Sequence, residues 1–181
     1  MSDYSEYDGT WTIDASHTRL GFIARHAMVT KVRGSFEDVA GTIVIDAANP
    51  SGSTATVAVQ LASVSTGSPD RDAHLRSPDF FDVEVNKEMT FASTTVKQDG
   101  DEFVMVGDLT IKGVTRTVEL ELEPTGVVTD PYGSVRAGFE GQTEISRKDF
   151  GLTWNVALEA GGVLVSDKIK IQLDVAAVKS A

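Results

Sequence analysis

The sequence predicts an all-β protein, a single eight-stranded antiparallel β-barrel with one or two short helices. Two observations support this prediction. Apolar and polar residues alternate along much of the chain, which is the period of a half-buried strand. Turn-forming pairs that contain glycine or proline divide the alternating runs into about eight segments of strand length, a number that can close into a barrel.

The alternation is clearest in four runs, residues 54–61, 118–123, 135–145 and 168–175. In the second run, Val118, Leu120 and Leu122 take one face. The residues between them are glutamates, so this face is predicted to meet solvent while the valine and leucines point into the barrel. Threonine and valine are plentiful, as expected for residues on a pleated sheet.

Short turns join these runs and predict antiparallel neighbours. Asp99-Gly100 separates residues 89–96 from 103–111, which is a hairpin signature. Lys112-Gly113 separates the next pair of runs. Further turns are predicted at residues 49–52, 130–133 and 161–162.

One short helix is predicted between Ser68 and Pro78. Ser68 is a suitable N-cap and Pro69 suits the first helical position. Arg76 fits the last turn, and Pro78 ends the helix. A second short helix is considered at residues 25–32.

Composition limits the classes of function. The 181-residue chain is long enough for one domain, predicted as residues 10–181 after a flexible acidic N-terminus at residues 1–9. It contains no cysteine, no run of about 18 apolar residues and no apolar leader segment. We therefore expect a soluble cytoplasmic protein with no transmembrane anchor.

The charge argues against nucleic acid as a partner, since the net charge of −11 repels phosphate backbones. The charge is uneven, however. Residues 15–36 contain no aspartate or glutamate but include Arg19, Arg25, Lys31 and Arg33. This stretch is either an ordinary solvated edge or a cationic rim that meets a polar headgroup.

Signals for catalysis and metal binding are weak. The three histidines are His17, His26 and His74, and no two have the spacing of a metal-binding pair on a helix. The sequence has no Gly-x-Ser-x-Gly motif and no glycine-rich phosphate loop. We predict no enzyme activity, no cofactor and no metal, while a site assembled in space from the three histidines remains an alternative.

Ordered motifs along the chain resemble the YceI-like family. They comprise residues 11–17, Phe22, His26, residues 34–36, 65–67, 71–77, 79–82, 107–115 and 147–151. The set extends from about residue 10 to residue 178 in matching order and spacing. Each motif alone has low specificity, but the ordered set is specific.

The resemblance implies a lipocalin-like barrel that holds a polyisoprenoid, an isoprenoid quinone or a fatty-acid-like lipid, and a frequent homodimer. Two departures from the family are visible. This sequence shows no export signal, and Val85-Asn86-Lys87 occupies the place of an aromatic-proline pair. The strand that follows should still form, although the turn before it is expected to differ.

The predicted function is therefore binding of a long apolar amphiphile inside the barrel, as carrier, store or sensor. Predicted contacts with the tail are Phe22, Phe36, Phe91, Met105, Leu109, Phe139 and Trp154. Predicted contacts with the headgroup are Arg25, His26, Arg71 and His74. Because the chain is acidic, a neutral head is favoured over a diphosphate. The alternatives are a filled-barrel, stress-associated interaction module without a ligand, and a histidine-based metal protein.

Overall fold

The computed structural model describes residues 3–159 and 161–180. Within these residues, eleven strands form one antiparallel sheet. The strands are β1 (Gly9–Ile13), β2 (Arg19–His26), β3 (Thr30–Phe36), β4 (Val39–Ile45), β5 (Thr54–Gln60), β6 (Val64–Ser65), β7 (Glu88–Asp99), β8 (Glu102–Ile111), β9 (Val114–Thr129), β10 (Val135–Ser146) and β11 (Lys168–Lys179). One α-helix, α1 (Pro69–Arg76), lies between β6 and β7. Short 3-10 turns occur at Ser5–Tyr7, Ala15–His17, Pro50–Gly52, Leu61–Ser63 and Arg147–Phe150.

Eight of the strands close a barrel, in the order β1-β4-β5-β7-β8-β9-β10-β11, and the pairing of β1 with β11 completes the ring. One edge of β11 pairs with β10, and the other edge pairs with two strands in turn. Its C-terminal part pairs with β1, for example Trp11 with Lys179, and its N-terminal part pairs with β2, for example Phe22 with Ile171. From β2 the sheet continues through β3 to β6. The predicted eight-stranded antiparallel barrel is confirmed.

The two ends of the barrel differ in what lies over them. We call one the Met28 end, because the β2–β3 turn lies there beside the segment that precedes β11. Leu75 of α1 and the neighbouring Phe80 and Phe81 pack into the core at this end. We call the other the Tyr7 end, where the N-terminal turn packs against residues of β10 and β11.

The predicted alternation matches the sides on which the strand residues lie. Ala55 and Val59 of β5 are buried in the core. On β9, Glu119 and Glu121 are exposed while Leu120 between them packs inside. Since one face of each barrel strand meets water and the other meets the interior, the period of two places most wall residues correctly.

Helix α1 begins and ends where the sequence predicted. The Ser68 side chain accepts a hydrogen bond from the Arg71 amide at 3.4 Å, with Pro69 in the first turn and Pro78 just beyond the end. Strand β7 forms after residues 85–87 as expected, and the predicted difference in the turn itself stays a prediction. Among the described residues, no helix combines the length and apolar character needed to cross a lipid bilayer.

The short helix considered at residues 25–32 is wrong, because these residues form the tip of the β2–β3 hairpin. Ala27 and Met28 adopt left-handed backbone angles, with φ of 51° and 63°, and the Val29 amide donates to the His26 carbonyl at 3.2 Å. Pairing between β2 and β3 overrides the weak local preference for a helix in so short a segment.

The N-terminal segment packs on the barrel in the part that the structure describes. Tyr7 is buried, and its carbonyl accepts a 2.7 Å hydrogen bond from the Trp11 indole. Tyr4 lies edge-on to Phe103, with ring centroids 5.1 Å apart. The predicted division of the chain into an arm at residues 1–9 and a domain at 10–181 stays a prediction.

Candidate functional site

An apolar tunnel follows the axis of the barrel. It consists of two cavities of about 230 Å³ at the Met28 end and about 140 Å³ at the Tyr7 end. Side chains from opposite walls border both cavities, so the two cavities are neighbours near the middle of the barrel. The shared residues are Ile13, Val57, Phe91, Leu120, Leu173 and Val175.

The walls of the tunnel are the inward faces of the alternating strands. Leu120 and Leu122 from β9 line it, while Glu121 between them faces solvent. Leu173 and Val175 of β11, two strands further around the ring, also line it. The resulting space is long and almost without polar groups, which suits an extended hydrocarbon chain better than a compact polar substrate.

Two glycines allow aromatic rings to lie flat against the wall. A Cβ atom at Gly34 would lie 2.8 Å from Cε1 of Phe22, and one at Gly107 would lie 2.6 Å from Cε2 of Phe91. These are closer than any real side chain tolerates. The absence of a side chain at Gly34 and Gly107 therefore lets both rings recede from the bore.

Arg147 is a buried cation at the Met28 end of the tunnel, where it forms part of the lining and is only 3% exposed. Its guanidinium donates to the carbonyls of Leu152 at 2.6 Å, Ser166 at 2.8 Å, Trp154 at 2.9 Å and Val165 at 3.2 Å. Burial lowers the pKa of the arginine from its ordinary value. The side chain therefore joins residues 152–154 to residues 165–166, which are the two ends of the connection that leads to β11.

The residues around the smaller cavity include four with polar side chains, Tyr4, Tyr7, Asp46 and Ser53. The surface that they present to the cavity is nevertheless apolar. Burial raises the pKa of the Tyr7 phenol, so this group stays protonated and neutral at ordinary pH.

Six of the seven predicted tail contacts line the tunnel. Phe22, Phe36 and Leu109 border the larger cavity, Met105 and Phe139 the smaller one, and Phe91 both. Trp154 is outside the lining. It follows β10 in an irregular connection, where no strand period indicates direction, and its ring lies edge-on to His74 at 4.6 Å and tilted to Phe80 at 5.4 Å.

The predicted headgroup contacts separate into three places. His26 and Arg71 border one surface groove together with Lys31, Arg33 and Thr66. The Arg71 guanidinium donates to the Thr66 hydroxyl at 2.7 Å and to its carbonyl at 2.8 Å.

Arg25 and His74 lie elsewhere. Arg25 is exposed on β2 between Ala24 and His26, on the side of the strand away from the tunnel. His74 forms a 2.9 Å contact from Nε2 to the Asp79 carboxylate. Neither side chain borders the groove that contains His26 and Arg71.

The three histidines have different surroundings. Nδ1 of His17 lies 2.9 Å from the carboxylate of Asp14 and 3.0 Å from the hydroxyl of Ser16. In residues 3–159 and 161–180, no three histidine, aspartate or glutamate side chains come together in a way that could hold a metal ion. No observation favours the metal-protein alternative.

Sequence reasoning missed Arg147 and the two tyrosines of the N-terminal segment. Arg147 belongs to a motif of the resemblance, residues 147–151, but an arginine beside Lys148 and Asp149 reads as a surface charge. Tyr4 and Tyr7 stand in an acidic stretch that was predicted to be a flexible arm. Only the spacing of aromatic residues at positions 4 and 7 signals a packed turn.

Comparison with known proteins gives a consistent result. The family model described as "YceI-like domain" matches residues 11–177. The UPF0312 protein plu2095 of Photorhabdus laumondii subsp. laumondii is 41% identical over 138 residues, which cover 76% of this chain and 72% of the relative.

Two solved structures have the same fold. BcnA of Burkholderia cenocepacia superimposes with a TM-score of 0.78 at 20% identity, covering 91% of this chain and 98% of BcnA. A polyisoprenoid binding domain from Saccharophagus degradans, implicated in plant cell wall breakdown, has a TM-score of 0.66 at 16% identity and covers 94% and 98% of the two chains.

Proposed function

This chain belongs to the YceI-like family, and from that premise we propose that it binds one long apolar amphiphile along the axis of its barrel. The observation on which the proposal rests is the tunnel. Its two cavities share six lining side chains, and the surface of both is almost entirely apolar. A tail that fills this space gains about 0.8 kcal/mol for each CH₂ group removed from water.

The class of ligand is proposed to be a polyisoprenoid, an isoprenoid quinone or a fatty-acid-like lipid. The polyisoprenoid binding domain of S. degradans supports this choice, because it has the same fold. The shape of the tunnel supports it independently, since a narrow apolar bore accepts a flexible chain more readily than a rigid ring system. In this proposal the protein is a carrier, store or sensor rather than an enzyme.

The headgroup is proposed to lie at the Met28 end. His26 and Arg71 supply polar groups in the surface groove, and Arg147 is a cation within the tunnel lining. Because the Arg147 guanidinium already donates to four backbone carbonyls, little of its hydrogen-bonding capacity is left for a diphosphate. Together with the net charge of −11, this favours a neutral head such as a quinone or an amide.

The test is native mass spectrometry of freshly purified protein, with solvent extraction of the same sample to identify any lipid. The Leu120→Trp variant places a large ring where the two cavities meet and should lose the ligand. Glu121→Trp adds the same ring on the exposed outer face of β9 and is the matched control. Circular dichroism establishes that both variants are folded.

The expected result is one discrete excess mass in the wild type and in Glu121→Trp, and a bare polypeptide for Leu120→Trp. A wild-type protein that stays bare after incubation with quinones, polyprenyl lipids and fatty acids would refute the proposal. It would favour the interaction module with a filled barrel. Light scattering tests the predicted homodimer, and cell fractionation tests the predicted cytoplasmic location.

A further inference from the structure

Four exposed apolar side chains cluster at the Met28 end. Met28 is 61% and Val29 is 75% exposed at the turn between β2 and β3, and Val156 and Val163 are exposed in the neighbouring loop. We call these four residues the apolar tip. Exposed aliphatic side chains are common singly, but a contiguous group on the surface indicates an interaction site.

Backbone hydrogen bonds make the tip one continuous surface. The Ala27 amide donates to the Leu164 carbonyl at 2.7 Å, and the Leu164 amide donates to the Val156 carbonyl at 2.9 Å. The Met28 side chain also lies against Gly162, where any Cβ atom would collide with it. The β2–β3 turn and the 156–164 loop therefore present their apolar residues together.

Cations lie on one face of the hairpin that carries this tip, although the protein as a whole is strongly acidic. Arg25, Lys31 and Arg33 are exposed on the same hairpin, which contains no carboxylate between residues 15 and 36. The loop beside it contributes one carboxylate, Glu159, and the Asp167 carboxylate that follows accepts a 2.6 Å hydrogen bond from the Ser146 hydroxyl.

The Tyr7 end has the opposite character. Val128 is 63% and Tyr132 is 93% exposed there. Carboxylates accompany them in the surrounding turns, at Asp8, Asp46, Asp99, Asp101 and Asp130. The β2–β3 hairpin therefore combines exposed aliphatic side chains with cations and no carboxylate, although α1 and the segment after it bring Asp70, Asp72, Asp79 and Asp82 to the same end of the barrel.

We infer that the apolar tip docks on the surface of an anionic lipid bilayer. Met28 and Val29 would enter the interface between headgroups and acyl chains, while Arg25, Lys31 and Arg33 lie against the anionic headgroups. Ala24 and Val165, which adjoin the tip along the chain, also line the larger cavity. Docking in this orientation brings that end of the tunnel to the membrane. The purpose of docking rests on the proposed function, whereas its test does not.

The experiment is co-sedimentation with phosphatidylcholine vesicles that contain or lack phosphatidylglycerol, at low and at high salt. The wild type should bind anionic vesicles more tightly, and salt should weaken this binding. The double variant Met28→Asp/Val29→Asp should reduce binding at least tenfold. Aspartate tolerates the left-handed backbone at position 28, so this variant should fold.

The matched control is Val128→Asp/Tyr132→Asp, which makes the same charge change on exposed residues of the Tyr7 end and should bind vesicles like the wild type. Lys31→Glu/Arg33→Glu should lower binding to anionic vesicles by about fivefold or more for each residue. Equal binding by the two aspartate doubles, or a wild type that does not discriminate between the vesicles, overturns the inference.

Failure of docking and failure of the proposed function have different signatures. Native mass spectrometry of Met28→Asp/Val29→Asp should show the same ligand mass as the wild type, since the substituted side chains are outside the tunnel lining. If the wild type contains a ligand but does not bind anionic vesicles, only the docking inference is refuted. If the wild type contains no ligand but still binds these vesicles, only the proposed function is refuted.

Discussion

Replacing Arg147 with leucine should destabilise the protein by about 4 kcal/mol. In the wild type, the guanidinium satisfies four buried or half-buried backbone carbonyls. Leucine fills part of the volume but donates nothing, and each lost hydrogen bond of this kind costs about 1 kcal/mol or more. Since whole domains are stable by only about 5–15 kcal/mol, the loss is a large fraction of the total.

Urea unfolding followed by tryptophan fluorescence measures this effect. With an m-value of about 2 kcal/mol per molar urea, the midpoint should fall by about 2 M. Arg116→Leu is the control, because Arg116 is exposed and donates only to the carbonyl of the preceding Thr115. Its substitution should change stability by no more than about 0.5 kcal/mol.

A third variant, Arg147→Lys, separates charge from geometry. Lysine keeps the positive charge, but a single ammonium cannot reach carbonyls on both sides of the 152–166 connection, so stability should lie between wild type and leucine. If Arg147→Leu loses less than about 1 kcal/mol, the buried guanidinium does not organise this connection. The account of the Met28 end given above would then be wrong.

Three further outcomes follow from the site and its surroundings. Gly107→Val should push the Phe91 ring into the bore, lowering ligand occupancy at least tenfold in native mass spectrometry, and unchanged occupancy would contradict the proposed wall geometry. Hydrogen bonds from Ser16, Arg136 and His17 hold the pKa of Asp14 well below its ordinary value, so its stabilisation is present above about pH 4 and is lost as the pH falls further. Asp14→Asn should therefore lower the free energy of unfolding by about 1 kcal/mol at neutral pH and make it depend less on pH below about 4. Urea titrations that show the same pH dependence as in the wild type would contradict this. Ser68→Ala should cost about 0.5 kcal/mol in thermal unfolding, since the cap hydrogen bond is long at 3.4 Å, and a loss above 2 kcal/mol would show that the cap is stronger than this.

The fold was predictable from the sequence because a barrel strand repeats one simple rule. Every second residue meets the interior, so Phe91, Leu120 and Val175 could be assigned to the inside before any contact was known. Turn pairs such as Asp99-Gly100 supplied the boundaries. The division of β11 between β1 and β2 was not predictable, since pairing between distant strands leaves no local signal.

The site was only partly predictable, and the misses have physical causes. Trp154 lies in an irregular connection where no period applies, so its direction depends on packing against Phe80. Arg147 is a cation beside Lys148 and Asp149, a pattern typical of an exposed segment. Its burial is explained only by the backbone carbonyls that accept its hydrogen bonds. The helix considered at residues 25–32 failed because hairpin pairing decided the conformation of a short ambiguous stretch.

The closure of the ring by β11 affects the order of events during synthesis. Strand β11 follows the other ten described strands along the chain, and it pairs with β10 on one edge and with both β1 and β2 on the other. Until β11 has emerged from the ribosome, the ring cannot close and the apolar face of the nascent sheet stays uncovered. A lipid could then be laid in sideways and enclosed as the seam forms, so the first loading would need no passage through either end.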